Sequence, residues 1–239
     1  MKKLIILLIP LFTLFPDLSL GGVGRAYLET SAGYKTGDFG TPVRTNLYYL
    51  APVLGYVAHS YNFNLTVPYL FLSSGTDTGM DTGAGDAIIR GGTTLIPELG
   101  SGASIDGALA VKLPIADETK GLGTGKTDVG GFLTVTQELG EIKMTLGGGF
   151  IKVGDPPGQD YNDIYLYDLG IYTLIRKTGL YTSLEGRTAL VQEAQNPLEV
   201  NIGFIHALNS FYMLKGGTFI GFNKGGPDFG VSLGVVRWF

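Results

Sequence analysis

From about residue 24 to residue 239 the chain alternates, with a period of two, between apolar side chains and small or polar ones. In the segment 228–239, Phe229, Val231, Leu233, Val235 and Phe239 share one face, and Gly230, Ser232, Gly234 and Val236 share the other. The segment before it places Tyr212, Leu214, Thr218, Ile220 and Phe222 opposite Lys215 and Gly217. Further back, Leu198, Val200, Ile202 and Phe204 oppose Glu199, Asn201 and Gly203, and Tyr61, Phe63, Leu65, Val67, Tyr69 and Phe71 oppose Ser60, Asn62, Asn64 and Thr66. Side chains of a β-strand point to opposite faces in turn, so this pattern is that of strands and excludes a helical domain.

Counted along the chain, the alternation predicts twelve strands, near 24–34, 45–57, 60–72, 84–95, 101–113, 126–138, 141–153, 162–175, 178–190, 197–207, 210–223 and 228–239. The register over 45–57 is left open. Long connections alternate with short ones: the long fall near 35–44, 73–83, 114–125, 154–161, 191–196 and 224–227. That asymmetry is the habit of outer-membrane barrels, which carry long loops outside and short turns at the periplasmic side.

Composition decides what such strands build. Only 16% of residues are charged, 44% are hydrophobic, mean hydropathy is +0.23 and Cys is absent. Disulfide scaffolds and thiolate metal sites are therefore excluded. There is no run of about 18 apolar residues, so a helical span is excluded too. In hydrocarbon every backbone N–H and C=O must be paired, and strands achieve this only as a closed barrel. The expected fold is all-β, a closed antiparallel transmembrane β-barrel of about 12 strands. Tyr212 and Phe222, ten residues apart on one face, project to roughly 25 Å at the usual rise and tilt, the height of an apolar band between aromatic girdles.

Residues 1–21 read as a signal peptide. Met1-Lys2-Lys3 supplies the positive start, Leu4 to Phe15 the apolar core, and Ser19 and Gly21 the small residues of a cut before Gly22. The barrel domain is then 22–239, and the expected location is the bacterial outer membrane. The mature chain is acidic, which argues against nucleic acid as a partner.

Several motifs invite other chemistry. Gly121 to Thr127 resembles a phosphate loop, but three residues rather than four separate Gly121 from Gly125, and a strand follows where that motif needs a helix. Asp77, Asp81 and Asp86 lie in a Gly/Thr-rich stretch whose spacing matches no calcium loop. An outer-membrane lipid hydrolase would need a His beside a Ser near the outer leaflet. His206 faces outward but falls beside the short turn at 208–209, and His59 falls in another short turn. No catalytic residue, metal or cofactor is expected.

The inward ionisable residues are more informative: Asp86, Arg90, Asp106, Lys112, Asp128, Lys143, Asp168, Glu185, Arg187, Glu199 and Lys215. Their mixed signs fit either a solute-lining wall or a salt-bridge network filling a narrow lumen.

Terminal Phe239, with apolar residues at alternate positions before it, resembles the assembly signal of outer-membrane barrels. Arg237 departs from that pattern, and near the rim it can snorkel to water. Val67-Pro68-Tyr69, Gly83-Ala84-Gly85-Asp86-Ala87, Leu113-Pro114-Ile115-Ala116 and the run Gly121 to Gly130 together resemble the outer-membrane transporter family labelled as the meta-pathway of phenol degradation. The resemblance implies a barrel of about twelve strands that passes small, aromatic or hydrophobic compounds. The expected partners are outer-membrane lipid, the barrel-assembly machinery and a small-molecule solute. The function expected is diffusion through a polar lumen; the alternatives are a structural or adhesive barrel with a closed lumen, or a membrane-embedded lipid hydrolase.

Overall fold

The computed structural model describes residues 24–239 apart from 42, 76–78, 98, 100–101, 157 and 159. The signal peptide expected over 1–21, and Asp77, lie outside the described residues.

Twelve antiparallel strands follow one another round a ring. They are β1 (Arg25–Gly37), β2 (Thr45–Val57), β3 in two pieces (Tyr61–Thr66 and Tyr69–Ser74), β4 in two pieces (Asp81–Ala84 and Ala87–Ile96), β5 (Ala103–Leu113), β6 (Asp128–Leu139), β7 (Ile142–Lys152), β8 (Ile164–Ile175), β9 (Thr178–Arg187), β10 (Leu198–Ala207), β11 (Tyr212–Gly221) and β12 (Pro227–Trp238). Each pairs with its neighbour in sequence, and β1 pairs with β12 over Tyr27↔Trp238 to Gly37↔Pro227, which closes the sheet into a barrel. No helix of the described residues is long and apolar enough to cross a membrane; this chain crosses with strands.

The two broken strands have a local cause. Pro68 carries no N–H to give to the ladder, so β3 stops at Thr66 and resumes at Tyr69. Its neighbour breaks at the same level, where Gly85 donates its N–H to the Pro68 carbonyl at 2.8 Å. The sequence expectation of an unbroken β3, and of a β4 starting at residue 84, is corrected on both points: β4 begins at Asp81, beyond the end of β5, and Asp81–Ala84 pairs only with β3.

Burial alternates along the strands and fixes which face is which. On β2, Thr45, Leu47 and Gly55 are buried while Tyr48, Leu50, Leu54 and Tyr56 are exposed. This settles the register there: odd residues face the lumen. The outward surface carries aliphatic residues at mid-height, among them Leu109 at 68% exposure, Leu146 at 62%, Leu133, Leu169, Ile202 and Leu233. Aromatic residues ring both margins. Tyr48, Tyr69, Phe150, Tyr165, Phe222 and Phe229 lie toward the long-loop end, and Tyr56, Tyr61, Phe63, Tyr212 and Phe239 toward the short-turn end. An apolar belt between two aromatic girdles is the outer surface of a transmembrane barrel. Arg237 is outward at the short-turn margin, with its guanidinium 4.8 Å from the centre of the Phe239 ring and 5.9 Å from that of Tyr212.

The glycine excess has a packing role that alternation alone does not show. Inward aromatic rings lie flat over glycines directly opposite them on the next strand: Tyr27 over Gly55, Tyr49 over Gly33, Phe132 over Gly149, Tyr181 over Gly203 and Phe219 over Gly230. A Cβ built at Gly33 would stand 2.4 Å from Tyr49 Cζ. Each such glycine leaves a seat into which the ring folds against the wall, the cross-strand pairing that compensates a glycine in a sheet.

Candidate functional site

The lumen is the candidate site, and its long-loop half holds most of its chemistry. The connection 114–127 departs from the expectation of a loop lying outside the barrel. It turns inward, through a short 3-10 turn at Glu118–Lys120 whose Asp117 carboxylate accepts the Thr119 N–H at 2.9 Å. Leu122, 2% exposed, plugs into an inward-facing apolar socket of Leu47, Leu70 and Leu72, with Tyr49 and Ala116 at its edge.

A buried charged triad holds this loop in place. Lys112 of β5 and Asp128 of β6 are direct cross-strand partners, and Asp86 stands at the break in β4. Lys112 Nζ lies 2.7 Å from Asp128 Oδ2 and 3.5 Å from Asp86 Oδ2, and it donates to Thr124 Oγ1 at 2.5 Å. The carboxylates use their other oxygens on backbone: Asp86 Oδ1 accepts from the Ala116 N–H at 3.1 Å, and Asp128 Oδ1 from the Gly154 N–H at 3.0 Å. One ammonium thus ties three separate backbone segments together. Gly123 passes so close to Asp86 that a Cβ there would lie 2.6 Å from its carboxylate oxygens. The Gly-Asp, Leu-Pro and Gly-Leu-Gly-Thr-Gly motifs of the sequence meet at this one place. They do so as a loop anchor, which gives the glycine-rich run a structural role in place of a phosphate cradle.

The remaining inward residues fall into pairs and one looser group. Thr94 Oγ1 donates to Asp106 at 2.7 Å, and Lys143 pairs with Glu138 at 2.5 Å toward the short-turn end. The Arg90 guanidinium sits 5.6 Å from the centre of the Phe132 ring and interacts electrostatically with Asp168. Lys215 of β11 pairs with Glu29 of β1, and Ser31 Oγ donates to the same Glu29 oxygen at 2.8 Å. Glu185, Arg187 and Glu199 gather near the long-loop end with Lys35, whose ammonium lies 4.9 Å from the centre of the Phe219 ring. All eleven residues singled out in the sequence occupy the inward face.

Besides Glu138, the partner of Lys143, the β1 residues Glu29 and Lys35 face inward and are not among those eleven. The signal was present in the alternation Tyr27, Glu29, Ser31, Gly33, Lys35 along β1. Toward the short-turn end the wall turns apolar, with Tyr27, Ile205, Met213 and Val236 buried beside Val53, Val57 and Trp238.

Outside the lumen, Lys152 pairs with Asp163 at 3.1 Å, and the Val153 N–H donates to the other Asp163 oxygen at 3.1 Å. That backbone N–H and the Lys152 ammonium hold the Asp163 carboxyl below the usual carboxylate range. His206 is outward at the short-turn end, where its Nδ1 meets Thr178 Oγ1 at 2.8 Å. His59 is exposed in its turn. Among the described residues, no group of three His, Asp or Glu side chains could hold a metal ion.

Fold and outward surface together define the class: a closed, twelve-stranded antiparallel barrel of the outer-membrane type. An outer membrane channel from Pseudomonas putida F1 shares this fold with a TM-score of 0.75, at 15% identity over 94% of this chain and 98% of that one. The NanC porin follows at a TM-score of 0.58 and 9% identity, covering 88% of this chain and 98% of that one. The translocator domain of the autotransporter NalP from Neisseria meningitidis scores 0.54 at 12% identity, covering 92% and 89%. No family model matches the chain, and no curated protein matches it in sequence. At these identities the likeness is one of fold.

Proposed function

We propose that the protein is an outer-membrane channel that passes small solutes by diffusion through its lumen. The long-loop end faces outward and loop 114–127 sets the constriction. The observation that carries this reading is the group Lys35, Glu185, Arg187 and Glu199. These are inward charges that, among the described residues, make no ion pair with one another. A sealed barrel gains stability by filling its interior with apolar side chains, because buried charge is expensive to desolvate. A water-bearing path keeps such charges solvated, and they then set which solutes enter.

The resemblance of the Gly-Asp and Leu-Pro motifs to a transporter family of aromatic degradation supports small solutes with an aromatic or apolar part. So do the rings of Tyr27, Tyr49, Tyr181 and Phe219, laid flat along the inner wall. The mechanism involves no covalent step. Reconstitution in a planar bilayer tests the proposal: discrete current steps in KCl, and swelling of proteoliposomes in small solutes, are expected. A folded barrel that carries no current and admits no solute would overturn it.

A closed-lumen structural barrel is the second reading, and the Leu122 plug favours it. It requires that the wild-type barrel and a variant with loop 114–127 unlatched both carry no current.

A further inference from the structure

On the wall that runs from β9 through β12 to β1, near the long-loop end, charges of both signs stand close together without pairing. Glu185 and Glu199 are direct partners across the β9–β10 ladder. Like charges opposite each other in a sheet repel unless a cation joins them. Lys35 and Arg187 interact with both glutamates through the field. Yet among the described residues neither makes an ion pair or a side-chain hydrogen bond to them; Lys35 rests over Phe219 instead. Ser183 Oγ donates to Glu185 Oε1 at 2.7 Å, which leaves the other Glu185 oxygen to the lumen.

Asn201 supplies the independent sign of a ligand. It is 5% exposed, faces inward two residues from Glu199, and is the direct partner of Phe219 across the β10–β11 ladder. Its Nδ2 is buried and has no hydrogen-bond partner. A buried donor left unpaired is costly, and a ligand acceptor recovers that cost. Donors (Lys35, Arg187, Asn201 Nδ2) and carboxylates (Glu185, Glu199) that make no ion pair with one another thus share one patch, balanced in charge.

We propose that this patch is a binding site for a small amino-carboxylate zwitterion. The ligand ammonium docks between Glu185 and Glu199, and its carboxylate docks on Lys35, Arg187 and Asn201 Nδ2. A simple anion would meet the two glutamates, and a simple cation would meet Lys35 and Arg187. The zwitterion satisfies all five. The site lies across the lumen from the Lys112 triad, so a solute entering past loop 114–127 meets it. The inference rests on the channel reading only for its role as a selectivity site; binding itself does not depend on open passage.

The test is calorimetric titration of the full, folded barrel in detergent with three probes of matched size: alanine, propionate and propylamine. Alanine is expected to bind at least about tenfold more tightly than either singly charged probe. Asn201→Leu and Lys35→Met are each expected to weaken alanine by about tenfold or more. Heat-modified gel mobility shows that each variant is folded, and Lys35→Met, which creates no buried apolar misfit, stands in should Asn201→Leu fail to fold. Equal affinity for the three probes, no measurable alanine binding, or variants that bind alanine as the wild type does would each overturn the site. Current in KCl without alanine is recorded separately. A barrel that binds alanine but carries no current defeats the channel reading and leaves the site standing, whereas current without alanine selectivity does the reverse.

Discussion

Lys215 reaches from β11 across the whole width of β12 to pair with Glu29 on β1, and it passes over Gly234. A Cβ at Gly234 would lie 2.5 Å from Ser31 Oγ and 3.2 Å from Lys215 Cε. The bridge therefore spans the closing seam of the barrel through room that a glycine leaves. Glu29 is 5% exposed. Removing one partner of a buried pair strands the other charge and costs about 3–5 kcal/mol. Lys215→Met is expected to lower urea resistance by about that much, while Glu29→Leu combined with Lys215→Met regains most of it. Equilibrium unfolding in lipid, followed by Trp238 fluorescence, makes the comparison.

The Lys112 ammonium is the pin of loop 114–127. Lys112→Met leaves Asp86 and Asp128 facing each other unneutralised, so the loop is expected to leave its seat. Single-channel current should rise and become noisier, and trypsin should cut at Lys120 and Lys126 faster than in the wild type. Unchanged current together with unchanged cleavage would show that the apolar socket around Leu122 suffices to hold the loop.

Seating a ring over a glycine keeps it out of the path. Gly33→Ala forces the Tyr49 ring off the wall, and overpacking of this kind costs about 1–3 kcal/mol. Conductance should fall as the ring swings inward, whereas Tyr49→Ala should raise it. Opposite shifts in the two variants are the diagnostic result.

The faces of the wall can be read chemically, because the chain has no cysteine. A cysteine at Asp106 is expected to react with a water-soluble maleimide in proteoliposomes. One at Leu109, three residues on and facing outward, should react with a lipid-confined reagent instead. Equal reaction at both positions with the aqueous reagent would mean that the two faces are exchanged on β5.

Asp163 gives a pH dependence with a defined sign. Its folded-state acidity is raised by the Val153 N–H and by Lys152. A carboxyl with a depressed folded value contributes its stability above the ordinary value of about 3.9 and loses it as pH falls through the lower, folded one. The Val153 amide resonance should therefore titrate with a midpoint below about 3.9, and Asp163→Asn should abolish that transition.

Strand positions were legible in the sequence because lipid and lumen impose opposite demands on alternate residues, as between Leu198 and Glu199 or Phe229 and Gly230. The breaks in β3 and β4 carried their own marks, Pro68 and the Gly85-Asp86 pair, although alternation ran through them. What could not be read was side-chain partnership between strands and loops. Lys112 and Asp128 are sixteen residues apart and Asp86 lies on a third segment. Nothing local says that Gly121 to Gly125 bends inward between them. The meeting of Lys215 with Glu29 likewise depends on the ring being closed, and period-two patterning carries no information on closure.

That closure separates one pairing from the other eleven. Every other ladder joins strands that follow each other in the chain, so each can zip from a nearby turn. The β1–β12 ladder, from Tyr27↔Trp238 onward, brings together segments about two hundred residues apart and carries the largest entropic penalty of any contact in the molecule. It is therefore expected to form last. Until it forms, the chain is an open sheet with two bare edges, each able to recruit a strand from another copy. The time between the eleventh ladder and the twelfth is the interval in which this protein is most exposed to aggregation.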